Sequence, residues 1–142
     1  ILHSSNMLRP LPDPAWDLGL AARASLNGLR EHLRLFALQA SAMEMQHWKA
    51  RLEDVMKRII ALLALSAEDD KDVLADGDGH SEDTIGLTIA HQLHQILNHA
   101  DDMIYCLNML DGQDMADFAE RAEIQIAALI HGHFVEQERA DG

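Results

Sequence analysis

Apolar side chains recur at alternating intervals of three and four along most of the chain, the spacing that lays one stripe on an α-helix. From Leu26 the stripe passes Leu29, Leu33, Phe36, Ala40, Met43 and His47, then shifts by one residue and continues through Trp48, Leu52, Val55, Ile59 and Leu62. No Gly or Pro lies between Gly28 and Ser66, so the pattern predicts one continuous helix from Leu26 to Leu65, unwound or kinked near His47–Trp48 where the stripe rotates. Such a helix is roughly 60 Å long at 1.5 Å per residue. A compact domain of this size is only about 40 Å across. A second copy covering the overhang reconciles the two lengths, and predicts a homodimer built on Leu29, Leu33, Phe36, Met43, Trp48 and Leu52.

Three other helices follow from the same reasoning. Asp13 and Pro14 form a helix-start signal, and Trp16, Leu20 and Ala24 continue at helical spacing to Asn27–Gly28, predicting a short N-terminal helix. Ile89, Leu93, Ile96, Ala100, Met103, Leu107 and Leu110 mark a helix capped by Asp83 or Thr84. Asp111-Gly112-Gln113-Asp114 reads as a tight connection ending in an N-cap aspartate. Met115, Ala119, Ala122, Ile126, Leu129 and His133 then form the seam of the last helix. No segment alternates like a strand, and no internal repeat is evident. The expected fold is all-α: an antiparallel helical bundle of three strong helices plus the short N-terminal one, completed by dimerisation. The expected layout is an extended Pro-containing arm at 1–13, one domain at 14–136 with an acidic loop at 66–83, and a polar tail at 137–142.

Composition supports one ordinary globular domain: 142 residues, 48% hydrophobic and 25% charged. The longest apolar run, Ile59 to Leu65, is far shorter than the roughly 18–20 residues of a membrane span, so no membrane association is expected. A single cysteine excludes an internal disulfide and the multi-cysteine zinc patterns, which points to the cytoplasm. Ile1 to Pro14 has no basic segment followed by an apolar one, so no address is expected there. The net charge of −13 repels phosphate backbones, so nucleic acid is not an expected partner. The charge is divided. Residues 23–58 carry seven Lys/Arg against four Asp/Glu, and residues 68–142 carry three against eighteen. The two parts are expected to attract, either within the molecule or across an interface to a second subunit or a basic protein partner.

The reactive side chains suggest metal chemistry first. His91, His94, Asn98, Asp101, Asp102 and Tyr105 share the helix face opposite the Ile89–Leu110 seam, and a His pair three residues apart can hold zinc, copper or nickel. Glu44-Met45-Gln46-His47 looks like half of the metal motif of ferritin-like di-iron carboxylate proteins, a resemblance that covers four residues. It implies a bundle-interior iron site and requires a second Glu-x-x-His, which this sequence does not supply. His47 and His133 stand at seam positions, where a buried imidazole needs a partner. The metal candidates are therefore Glu44, His47, His91, His94 and His133. Asp72 to Asp83 resembles an EF-hand loop in its first and fifth acids and its sixth-position glycine. It has Leu74 at the third position and Asp83 in place of the bidentate glutamate, which leaves an acidic linker as the expectation. His99, Asp102 and Cys106 share a stripe, but seven residues, about 10 Å of helix, separate His99 from Cys106, too far for a nucleophile and its base.

No catalytic set is complete, and no cofactor is required. The expected function is that of a non-enzymatic, self-associating regulatory or adaptor module. A His/carboxylate metalloprotein carrying Zn, Fe, Ni or Cu is the second expectation. A histidine-phosphotransfer domain using His91 or His94 is the third, although Gln92-Leu93-His94-Gln95 lacks that family's Lys and Gly after the active His.

Overall fold

The computed structural model describes residues 18–65 and 85–132, which form four α-helices: α1 Leu20–Gln39, α2 Met45–Leu63, α3 Leu87–Tyr105 and α4 Gly112–His131. The all-α helical bundle expected from the periodicity is what the chain adopts. No helix among the described residues is long and apolar enough to cross a membrane.

The continuous rod does not exist. A single turn of 3-10 helix, Ala40–Ala42, ends α1, and Met43 and Glu44 are extended before α2 begins. The chain then doubles back. His32 faces Asp54 at 3.2 Å, and Arg51 donates to the Gln39 side chain at 2.7 Å, so α1 and α2 form an antiparallel hairpin. The one-residue shift in the stripe is absorbed by this turn, a few residues before the expected kink. Trp48 is buried after the turn and its indole N–H donates to the Ala40 carbonyl at 2.9 Å, pinning the reversal without Gly or Pro. Nothing local forbids a helix through Ala40–Glu44. The reversal wins because it buries both stripes in one core, which removes the overhang that called for a partner. Leu29, Leu33, Phe36, Trp48 and Leu52 accordingly lie inside the monomer, with Met43 packed at its edge.

Two further boundaries are corrected. Helix α1 runs straight through Asn27–Gly28, so there is no separate short helix ending there. The cap of α4 is Asp111, not Asp114: the Asp111 carboxylate accepts the Asp114 backbone N–H at 3.0 Å, and the Asp114 carboxylate accepts the Asp111 N–H at 2.9 Å. The N-cap of α3 is Gly86, so the helix starts too late for Asp83 or Thr84 to cap it; the proposed arm, the acidic loop with its EF-hand-like segment, Asp13, His133 and the polar tail lie outside the described residues.

The second half repeats the first. With Leu18 set on Ile85, Gly19 falls on Gly86, and the buried residues Ala22, Leu26, Leu29, Leu33 and Phe36 fall on the buried residues Ile89, Leu93, Ile96, Ala100 and Met103. In the second helix of each hairpin, Trp48, Leu52, Val55, Ile59 and Leu62 fall on Met115, Ala119, Ala122, Ile126 and Leu129, all buried. The backbone agrees: Gly19 and Gly86 are extended N-caps, and each hairpin turns through a three-residue 3-10 helix, an extended residue and an extended N-cap. The repeat is invisible to identity-based reading because it is kept in burial and geometry rather than in residue type.

Helices α1 and α4 run antiparallel, with Arg30 against Glu123 and the α1 end of Ser41 against Gly112. Helix α2 packs on α3 in the equivalent way, and the order is up-down-up-down. Both hairpin turns therefore lie at one end, the turn end. At the other end an antiparallel bridge joins Leu18 to Ile85, and the Ile85 N–H donates to the Leu65 carbonyl at 3.0 Å. The core between them contains no buried polar or charged residue among those described.

Candidate functional site

The metal candidates are not brought together. Glu44 caps α2 and His47 lies in its first turn, both exposed at the turn end, and the Glu44 carboxylate accepts the Gln46 side-chain N–H at 3.1 Å. His47 is off the seam because Trp48 takes the buried place. His91 and His94 are exposed on the opening turns of α3, at the opposite end of the bundle, and the Nε2 of His91 is 3.4 Å from the Gln95 amide nitrogen. Among the described residues no three His, Cys, Asp or Glu side chains converge on a point that would hold a metal ion. The His99–Asp102–Cys106 stripe makes no relay either. The Cys106 thiol donates to the Asp102 backbone carbonyl at 3.3 Å, and the His99 ring lies tilted on Phe118 with centroids 5.2 Å apart.

Charge acts along the shaft of the bundle as the sequence division implies. Arg30 on α1 donates to Glu123 on α4 at 2.8 Å, and Arg23 donates to the Ile130 carbonyl at 2.7 Å, in the last turn of α4 where backbone acceptors are unpaired. The residue that sequence reasoning missed is His32, an imidazole wedged between α1 and α2. Its Nε2 lies 3.2 Å from the Asp54 Oδ2, an ion-pair distance, but without hydrogen-bond geometry, while the same Oδ2 accepts from Arg58 at 2.8 Å. Burial lowers the His32 pKa, opposed by Asp54 and reinforced by Arg58 and Arg51. The Arg58 hydrogen bond holds the Asp54 carboxyl below its ordinary value. Its sequence signal was periodicity alone: His32 stands one place before Leu33, at the stripe's margin. The repeat sets His32 on His99, whose groove holds Arg121 in place of Asp54. That groove, about 230 Å³ and open, has Gln95, His99, Arg121 and Gln125 above Ile96 and Phe118. A second open groove of about 420 Å³ lies between α1 and α2 beside Gly28 and Arg58. Neither encloses a ligand.

The feature that sets one part of the surface apart is the turn end. Tyr105, 93% exposed, closes α3; Met109, 80% exposed, lies in the second turn; Leu38, 70% exposed, is in the last turn of α1; and Met45, 44% exposed, opens α2. Leu38 and Tyr105 are repeat equivalents. Single exposed apolar residues are ordinary, whereas four distributed around the same end concentrate apolar surface there, as contact surfaces do. Ile60 and Ile124 are isolated on the shaft, and Leu20 and Leu87 adjoin segments outside the described residues. Set against known proteins, the chain matches no family model, no curated protein and no solved structure.

Proposed function

We propose that the chain is a non-enzymatic interaction module of the regulatory or adaptor kind, and that its contact surface is the turn end of the bundle. The observation that carries this reading is the exposure of Leu38, Met45, Tyr105 and Met109 around the two turns. A fully apolar interior supports it, since the core serves to hold the two turns in fixed relation and the chemistry is left to the surface. The acid-rich second hairpin adds selectivity for basic protein surfaces over nucleic acid. The test is site-specific photo-crosslinking in cells, with the probe placed at Tyr105 and, as a control, at Ile124 on the shaft. Discrete adducts at 105 that disappear on Leu38→Ser support the reading. Equal adduct patterns at both positions, or none at 105, overturn it.

A further inference from the structure

Resting on that reading, we propose that the partner at the turn end is a second copy of this chain, joined end to end about a two-fold axis so that the first turn of each copy meets the second turn of the other. The repeat makes the two turns alike in shape, and the sequence makes them opposite in charge. Around the first turn stand Arg34, Lys49 and Arg51; around the second stand Asp101, Asp102, Asp114 and Asp117. At one position the reversal is direct, since Arg34 is the repeat equivalent of Asp101, and elsewhere it holds in sum: the first turn has the acid Glu44 among its cations, whereas the second has Asp111 beside the other four aspartates and no Lys or Arg among the described residues. Between them Leu38 and Tyr105 occupy equivalent places.

A two-fold axis perpendicular to the bundle, passing between the ends, carries each turn to the site facing the other turn. It thus creates two identical contacts, as an isologous interface requires. In each, Leu38 and Met45 meet Tyr105 and Met109, and cations meet carboxylates. The alternative axis, which sets like turns face to face, would oppose Asp101 to Asp101 and Arg34 to Arg34. Charge therefore selects one pairing. Within a single copy these aspartates have no basic partner among the described residues: Asp114 binds the Asp111 N–H and Asp117 accepts from Gln113. On the first turn, Arg34 is bonded to Glu31 of the same helix, an exposed pair that exchanges readily, with Glu123 of α4 as a weaker electrostatic neighbour.

Sedimentation velocity on the full chain across the micromolar range tests this. The wild type is expected to dimerise reversibly, and Arg34→Asp and Asp101→Arg are each expected to weaken the dimer by at least about tenfold, because each places two like-charge contacts in the homodimer. An equimolar mixture of the two variants is expected to restore it, since the mixed dimer has one exchanged pair and one native pair. Circular dichroism confirms folding, which exposed positions should leave unchanged. A wild type that stays monomeric at about 100 μM overturns the inference, and so does a mixture no tighter than either variant alone. If the chain is monomeric while Tyr105 still captures a discrete foreign protein, self-pairing fails and the contact surface stands. If Tyr105 captures nothing as well, both fail.

Discussion

Two glycines give opposite answers to the same substitution, and the difference measures how closely α4 abuts the first turn. Gly28 lies inside α1, and a Cβ built there meets only the Arg58 Nη1 at 3.7 Å, an ordinary contact. Gly28→Ala should therefore gain the helix-propensity difference, about 0.8–1.0 kcal/mol, undiminished. Gly112 is the first residue of α4, and its Cβ would lie 2.9 Å from the Ser41 Cα and 3.3 Å from the Ala40 carbonyl oxygen. Those atoms cannot easily retreat, because the Ala40 carbonyl is held by both the Met43 N–H and the Trp48 indole. Overpacking of this kind costs about 1–3 kcal/mol, and the first helical position returns little of the propensity gain, so a net loss of about 1–2 kcal/mol is expected for Gly112→Ala. For a chain of this length each kcal/mol moves the thermal midpoint by about 3–5 °C. Urea and thermal unfolding followed by far-ultraviolet circular dichroism should show the two variants on opposite sides of the wild type. Midpoints raised in both would refute the close approach of α4 to the turn, and with it the reason α4 sits tighter on its neighbouring turn than α2 does on its own.

Asp111→Ala should lower the thermal midpoint by about 2–5 °C through loss of the capping box, whereas Glu44→Ala, at the repeat-equivalent cap with no side-chain capping bond and only an exposed contact to Gln46, should leave it nearly unchanged. Leu52→Ala should cost about 2–5 kcal/mol in urea titrations, with the same loss at every protein concentration, because Leu52 is inside the monomer. For His32, the folded pKa is below the unfolded one, so its contribution is present above about pH 6.5 and is lost as pH falls through the folded value. His32→Phe, if it fits, should flatten the stability profile in that window, and an unchanged slope would show that His32 does not titrate with folding.

How much could be read in advance depended on which force decided each feature. The stripes Leu26–Phe36, Trp48–Leu62 and Ile89–Met103 named the buried faces correctly because burial at helical spacing is a local signature. The reversal at Ala40–Glu44 was encoded only in the one-residue slip between stripes, since Ala, Ser and Met do not break helices. What fixes it is tertiary: the Trp48–Ala40 bond and the approach of Gly112. The repeat escaped for a related reason. Phe36 and Met103, or Trp48 and Met115, occupy equivalent buried places with side chains of different kind and size, so only burial reveals the match. His47 looked like a seam residue because the first frame, carried one step past the turn, ends on it. Once the turn resets the frame it is a surface residue, and the half-motif with Glu44 loses its place in the interior.

The same repeat separates two kinds of selection on the chain. The equivalent buried positions are apolar in both hairpins but differ in size, Leu33 standing against Ala100, Leu52 against Ala119 and Trp48 against Met115, so each hairpin fills its share of the core in its own way. Surface positions are free to differ, and they differ in total charge: among the described residues the first hairpin has seven Lys/Arg against four Asp/Glu and the second has one Arg against seven Asp/Glu. Along the shaft the basic first hairpin and the acidic second one meet in one ion pair among the described residues, Arg30 with Glu123, beside the apolar core that joins the halves. At the turn end the same difference persists where α1 and α3 end apart and no partner among the described residues answers Asp101, Asp102 or Asp117 with a positive charge. A complementarity spent internally along the shaft and left open at one end, beside four exposed apolar side chains, is arranged for a surface that reproduces it in reverse.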